Sequence, residues 1–209
     1  MTVSRVLVRL RNAILIVAGL FVLASPAAAQ FSQGYKFLEA VKKKEGQTVE
    51  DMLNEPGSTV INTRDVTSGE SAMHIVTARR DLTWMNFLLA KGANANARNG
   101  RGETPLQLAA RMAFLEGVEL LIAKQARIDE PNSGGETPLI AAVHSRNTDL
   151  MRLLLKAGAD PDRADNSGRS ARDYALADGR TGPLIAEIQA SAKPKGQRAG
   201  ARASYGPSF

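Results

Sequence analysis

GETPLQLAA, residues 102–110, is the stretch that decides the fold, because it recurs along the chain at one fixed spacing. The related stretch GESAMH begins before it at Gly69, and GETPL and GRSA begin after it at Gly135 and Gly168. The interval between these glycines is the same each time. A constant period that runs through four units without slippage is typical of a repeat solenoid.

The repeated residues also explain how each unit begins and ends its helices. Thr104 is a favourable N-cap, and Pro105 suits the first helical position because it has no amide hydrogen to leave unpaired. Gly92 and Gly158 stand where a helix ends in a left-handed residue. The apolar spacing predicts two helices per unit, and neither helix buries its apolar stripe alone, so the units must stack.

The period resembles the ankyrin repeat. The Gly-x-Thr-Pro-Leu-His-x-Ala-Ala opening of that family is nearly whole at residues 102–110 and 135–142. Its Leu-Leu-Leu-x-x-Gly-Ala-Asp-x-Asn close is matched at residues 153–162 and 87–96. The resemblance covers residues 34 to 190 and implies an all-α repeat solenoid, in which helix-turn-helix units alternate with β-hairpin-like finger loops.

The register divides the chain into successive segments. These are a signal peptide at 1–29, an N-terminal capping repeat at 30–66, ankyrin repeats at 67–99, 100–132 and 133–165, a C-terminal capping repeat at 166–190 and a basic disordered tail at 191–209. Arg172 marks the last unit as a cap, because it places a charge in the column that holds Met73, Leu106 and Leu139. The tail has too few apolar residues to order itself.

Two positions test this register. Trp84 and Gly117 are equivalent residues of consecutive units, and we expect the large side chain of Trp84 to fill the space that Gly117 leaves empty. Gln125 stands at the position of Gly92 and Gly158. We therefore expect Gln125 to adopt a left-handed conformation, which is strained by about 1–2 kcal/mol for a residue other than glycine.

The N-terminal segment, 1–29, predicts export. Three arginines and no acidic residue accompany the apolar run AILIVAGLFVLA at 13–24, and the segment ends in a small-residue cleavage motif at Ala29. The run is clearly shorter than the roughly 20 residues that a membrane-spanning helix needs. We predict cleavage after Ala29, a soluble mature chain and a periplasmic location; the alternative is an uncleaved membrane anchor.

The net charge of +6 comes from the two ends of the chain. The segment 30–190 holds all 21 acidic residues and a nearly equal number of basic ones, whereas the segment 191–209 is basic and has no acidic residue. A nucleic-acid-binding domain carries its positive charge on the folded surface, so this distribution argues against a nucleic-acid partner. The basic tail is expected to be solvated, and the alternative is a weak contact with an anionic surface.

Few residues in the sequence suggest catalysis or metal binding. His74 stands where the ankyrin family uses a histidine for structural hydrogen bonds, and His144, near the end of a first helix, is expected to be exposed. The two lie two repeats apart, which argues against a shared metal site or catalytic triad. The chain has no cysteine, which excludes thiol catalysis. We predict no catalytic residue, metal or cofactor, and therefore no enzyme.

Binding of another protein is what remains. The resemblance implies contacts through the finger tips and inner helices of a concave face, which here correspond to Thr67, Ser68, Glu70, Arg79, Arg101, Glu103, Arg111, Met112, Ser133, Glu136, His144, Ser145, Asn166 and Arg169. We expect the centre at Arg79, Arg101, Arg111 and Met112, because arginine is frequent in interface hot spots and methionine adapts to apolar patches.

The predicted function is that of an exported, monomeric module that binds an unidentified protein as adaptor, protector or inhibitor. One alternative is an immunity protein that neutralises a toxin. Another is a membrane-tethered scaffold, which would follow if the N-terminal segment were not cleaved.

Overall fold

The computed structural model describes residues 32–178, 182–194 and 197–198. The predicted signal peptide, its cleavage site and most of the basic tail lie outside these residues. Within them the chain forms ten α-helices and one 3-10 turn at Val60–Asn62: α1 (Gln33–Lys43), α2 (Gly46–Asn54), α3 (Ala72–Ala78), α4 (Leu82–Ala90), α5 (Pro105–Arg111), α6 (Leu115–Ala123), α7 (Pro138–His144), α8 (Thr148–Ala157), α9 (Ala171–Ala177) and α10 (Pro183–Ser191).

The helices form pairs that stack in chain order. Within each unit the first helix packs on the second, as α5 does on α6 and α7 on α8. Between units, first helices pack on first helices, from α3 through α5 and α7 to α9, and second helices pack on second helices from α4 to α10. This two-layer stack confirms the all-α repeat solenoid.

The repeated Thr-Pro pair starts the first helices in the expected manner. The hydroxyl of Thr104 accepts a hydrogen bond from the amide of Gln107 at 3.3 Å, and Thr137 accepts one from Ile140 at the same distance. The helix in each case begins at the following proline. Capping satisfies an amide that would otherwise be unpaired at the helix start.

The apolar columns form the core. Leu106, Leu139 and Leu154 have no exposed surface. In the last unit, the side chain of Arg172 is 31% exposed and its Nε lies 2.6 Å from Asp162 Oδ1. The charged residue in this column is therefore partly exposed, and it is paired with an acidic residue of the preceding loop.

Left-handed residues recur at a second place in three consecutive units, which sequence reasoning missed. Gln125 has φ +61°, which confirms its expected conformation, and Arg80, Ala113 and Arg146 have φ of +54°, +50° and +52°. The last three occupy equivalent positions of consecutive units and join the first helix of a unit to the second. Arg80 donates to the carbonyl of Met112 in the next unit, so the arginine at this strained position also connects two repeats.

The expected contact between Trp84 and Gly117 is wrong. A Cβ atom on Gly117 would lie 2.4 Å from the ring of Phe114, so a residue of the same unit occupies the space above the glycine. Phe114 is 4% exposed. Trp84 is half-buried instead and packs edge-to-face on Phe87, with 5.8 Å between ring centroids.

Part of the segment predicted as a disordered tail packs on the third repeat. Arg198 Nη1 lies 2.9 Å from Asp160 Oδ1 and 2.7 Å from Asp162 Oδ2, and its side chain is 11% exposed. Its Nε donates to the carbonyl of Lys193. Across residues 32–178, 182–194 and 197–198, every helix is too short or too polar to cross a lipid bilayer.

Candidate protein-binding face

Four finger loops precede the first helices of the repeats. A main-chain hydrogen bond of 2.8 to 3.0 Å joins the two ends of each finger, and its donors are the amides of Asp65, Asn99, Asn132 and Asp165. Between the donor and the acceptor of this bond, the first finger contains one residue more than the others. The longer loop leaves the side chain of Val66 fully exposed, a feature that the repeat pattern did not identify.

Main-chain hydrogen bonds also join each finger tip to the next. The amide of Gly100 donates to the carbonyl of Ser68 at 2.7 Å, and the amide of Ser133 donates to the carbonyl of Arg101 at 3.1 Å. Asn166 continues the row, with its amide 3.1 Å from the carbonyl of Gly134. The four tips therefore form one row with fixed spacing.

This close approach explains the periodic glycine. Gly69 has φ +69°, and a Cβ atom there would lie 2.6 Å from the amide nitrogen of Gly100. Gly135 has φ +79°, and a Cβ atom there would lie 2.5 Å from the amide nitrogen of Asn166. Any other residue would be strained by its conformation and would separate the tips, so the period in the sequence reflects the spacing of the fingers.

Glu103 organises the polar side chains in the middle of the row. Its side chain is 7% exposed, with Oε2 2.7 Å from Arg101 Nη2 and Oε1 3.0 Å from Arg111 Nε. Burial opposes its ionisation, but hydrogen bonds from Asn99 and Arg101 and the charge of Arg111 outweigh burial and hold the pKa of Glu103 below its ordinary value. One buried carboxylate thus orients two arginines that are themselves 65% and 50% exposed.

The next repeat carries the same arrangement with a histidine. His144 and Glu136 occupy the positions of Arg111 and Glu103, and His144 Nδ1 lies 2.9 Å from Glu136 Oε1. The side chain of His144 is 46% exposed, as expected from the sequence. The pairing between finger and first helix is therefore a repeated feature of the face.

Tyr174 is a functional candidate that sequence reasoning missed. Its ring packs edge-to-face on His144 with 4.5 Å between centroids, and the guanidinium carbon of Arg169 lies 5.7 Å from its ring centroid. Its hydroxyl donates to Asp165 Oδ2 at 2.7 Å. The available signal was an aromatic residue in a column that holds Ile75, Leu108 and Ala141 in the other units.

Arg79 lies apart from the side chains that surround Glu103, Glu136 and Tyr174. Its side chain is 19% exposed, its Nη1 donates to the carbonyl of Val41, and its guanidinium carbon lies 5.4 Å from the centroid of the Trp84 ring. Arg79 therefore connects the first repeat to the N-terminal cap. Met112 is half-buried and packs on the core, so it contributes only part of its surface.

The remaining predicted residues lie at the finger tips or at the ends of the first helices. Thr67 and Ser68 are exposed in the first finger, where both amides donate to Asp65 Oδ1. The side chain of Asn166 donates to the carbonyl of Ser133 at 3.0 Å, so it holds two fingers together. Glu70 is half-buried, and Ser145 is exposed at the end of α7.

We call the resulting surface the finger face. It consists of the exposed or half-exposed residues of the finger tips and first helices: Val66, Thr67, Ser68, Glu70, Arg101, Arg111, Met112, Ser133, Glu136, His144, Ser145, Asn166, Arg169 and Tyr174, above the buried Glu103.

His74 has a structural position, as the sequence predicts. It has no exposed surface, and its Nδ1 accepts from the amide of Ser71 at 3.2 Å. This acceptor role leaves the proton on Nε2, which lies 2.9 Å from the carbonyl oxygen of Glu103. Burial lowers the pKa of His74, and the carbonyl contact only partly offsets this effect.

Within the part of the chain that the structure describes, no three His, Cys, Asp or Glu side chains converge in a way that could hold a metal ion. On the finger face, acidic residues hold the charged side chains by hydrogen bonds, and the outer atoms of those side chains remain in solvent. This is the geometry of a contact surface.

Two protein-family models match the repeats of this chain. A model described as ankyrin repeats in three copies matches residues 37–132. A second model, described as ankyrin repeats in many copies, matches residues 120–175. Together the two matches extend from the N-terminal cap to the first helix of the last unit.

Proposed function

Because the chain belongs to the ankyrin repeat family, whose repeats are generally protein-protein interaction modules, we propose that it is an exported protein that holds one partner protein on its finger face. Stacked repeats offer extended surfaces on which each unit contributes a few contacts. The observation that carries the proposal is the Glu103 cluster, in which a buried carboxylate positions two exposed arginines.

The energetic argument concerns preorganisation. A free arginine side chain loses rotamer entropy when it binds, at a cost of about 0.5–1.5 kcal/mol for each immobilised side chain. Arg101 and Arg111 are already held by Glu103, so less of this entropy remains to be lost. Their outer N–H groups suit carboxylate oxygens on a partner, because guanidinium and carboxylate match in geometry.

The proposed location is the periplasm. It rests on the segment 1–29, where basic residues, a short apolar run and a small-residue motif occur in the order of a secretory signal. N-terminal sequencing of the protein purified from its native cells tests this part. A chain that begins at Gln30 supports export and release, whereas a chain that retains the segment 1–29 contradicts release.

Binding is tested by capture from a periplasmic extract on the immobilised chain from residue 30. The double variant Arg101→Gln plus Arg111→Gln keeps side-chain donors for Glu103 but removes both charges, and we expect it to lose the partner. The variant Lys124→Glu plus Lys156→Glu alters two exposed residues at the ends of second helices and is expected to retain it. Equal capture by all three proteins, each with an unchanged melting curve, would contradict the assignment of the finger face.

A further inference from the structure

Trp84, the single tryptophan of the chain, lies outside the finger face. It belongs to α4, a second helix, and its half-buried ring meets Phe87 at an interplanar angle of 75°. A large aromatic side chain that is only partly covered leaves apolar surface in contact with water. A ligand that covers this surface would gain binding free energy from its removal from water.

A cavity of about 250 Å³ adjoins the two rings. It is lined by Gly46 and Glu50 of α2 and by Thr83, Trp84 and Phe87 of α4. Gly46 opens it further, because a Cβ atom on this residue would meet no atom within 4 Å. The cavity therefore lies between the second helices of the N-terminal cap and the first repeat, on elements that the finger face does not use.

The cavity is open to solvent, so its volume indicates how much of a ligand it can cover. A dry apolar cavity of about 150 Å³ accommodates benzene, and pockets for drug-sized ligands begin at about 300 Å³. A volume of about 250 Å³ therefore suits a single aromatic ring with one or two small substituents.

The charges around the cavity argue against a cationic ligand. The guanidinium carbon of Arg79 already lies 5.4 Å from the centroid of the Trp84 ring, and Lys91 Nζ lies 5.8 Å from that of Phe87. Both cations belong to the chain itself, so they take the cation-π interactions that a ligand cation would need. A neutral aromatic ring can instead pack edge-to-face against the two rings, as aromatic pairs prefer.

Glu50 supplies the polar contact. Its side chain is 48% exposed at the cavity, and Oε1 lies 3.6 Å from Lys91 Nζ. A carboxylate accepts hydrogen bonds but cannot donate them, so it selects a ligand with an O–H or N–H group. We propose that this cavity binds a small neutral phenol, with the ring against Trp84 and Phe87 and the hydroxyl donating to Glu50.

The test uses p-cresol as the probe and the full chain from residue 30. Because Trp84 is the only tryptophan, its fluorescence and its indole N–H signal in a ¹H–¹⁵N spectrum report on this cavity alone. We expect saturable changes in both signals. Toluene, which has the same ring and no hydroxyl, is expected to bind more weakly, and equal affinity would overturn the contact with Glu50.

Gly46→Leu is the blocking variant, because its side chain enters the open space without a clash at Cβ. It is expected to weaken p-cresol binding by about tenfold or more. Asn86→Leu adds the same side chain at an exposed position of α4 and is expected to leave binding unchanged. A linear, non-saturable response of the original chain, or equal binding by Gly46→Leu, would overturn the proposal whatever the finger face binds.

Discussion

The imidazole Nε2 of His74 lies 2.9 Å from the main-chain carbonyl oxygen of Glu103, which belongs to the next repeat. The equivalent residue one unit later, Gln107, donates from its side chain to the carbonyl of Glu136. The same hydrogen bond therefore links the start of a first helix to the next finger in two consecutive units. A histidine and a glutamine perform the same role, but only the histidine side chain can gain a proton.

His74→Gln is expected to make stability less dependent on pH. Burial lowers the pKa of His74 in the folded protein, so the unfolded chain binds more protons below about pH 6.5. The stabilisation by His74 is therefore complete above that pH and is lost as the pH falls. Thermal melting at pH 7.5 and pH 5 should show a smaller decrease for His74→Gln than for the original protein. An equal decrease would mean that His74 does not contribute to acid sensitivity.

Asp129→Asn is expected to stabilise the array at neutral pH. Asp129 is 5% exposed, its Oδ1 accepts from the amide of Asp160 at 2.9 Å, and its Oδ2 has no hydrogen-bond partner among the described residues. Burial raises its pKa, and the charge of Asp160 adds to that effect. Asn96 holds the same position one unit earlier and accepts the equivalent bond from Arg127 at 2.7 Å.

The amide in Asp129→Asn keeps the acceptor oxygen and removes a buried charge that lacks a full set of partners. We expect this change to raise the free energy of unfolding by about 1–3 kcal/mol. A raised folded pKa makes the aspartate destabilising as the pH rises, so the gain should be largest near pH 7 and should vanish near pH 4. Urea unfolding at both values measures it. Asn96→Asp is the reverse control and should destabilise less, because Asn96 is only half-buried. No gain at pH 7 would refute the account.

Gln125→Gly is expected to raise the melting temperature. Gln125 has φ +61°, whereas Gly92 and Gly158, at the same position of other units, have φ +89° and +108°. Removing the side chain relieves about 1 kcal/mol of left-handed strain, equivalent to about 2–4 °C for a chain of this length. Gln125→Ala removes the same polar group but keeps Cβ, so it should give no such gain. An equal rise for both variants would contradict the conformational explanation.

Gly117→Ala is expected to destabilise the protein, although alanine is normally preferred to glycine inside a helix by about 1 kcal/mol. The added Cβ would lie 2.4 Å from the ring of Phe114, and that ring is buried beneath Arg80, whose guanidinium carbon lies 5.7 Å from the ring centroid. Overpacking of this kind costs about 1–3 kcal/mol.

Chemical denaturation of Gly117→Ala measures the cost. The double variant Gly117→Ala plus Phe114→Leu should be less destabilised than the sum of its single variants, because the smaller side chain makes room for the methyl group. Additive effects would show that the two residues do not compete for the same space.

The repeated residues alone determined the architecture. Thr104-Pro105 and its copies start helices through local capping, and Gly69, Gly102, Gly135 and Gly168 mark loops whose left-handed backbone disfavours a side chain. These are constraints within a few residues of the chain, or between equivalent units, so a fixed period reveals them. The left-handed conformation of Gln125 was predictable for the same reason.

Only the tertiary structure decided which side chains are exposed on the finger face and which pack against the rest of the protein. Arg79 and Arg111 both lie at the end of a first helix, yet Arg79 turns onto Trp84 and Arg111 turns to Glu103. Phe114 rather than Trp84 covers Gly117. Long side chains choose among several rotamers, and the choice depends on neighbours that differ from one unit to the next, so a repeated pattern carries no information about it.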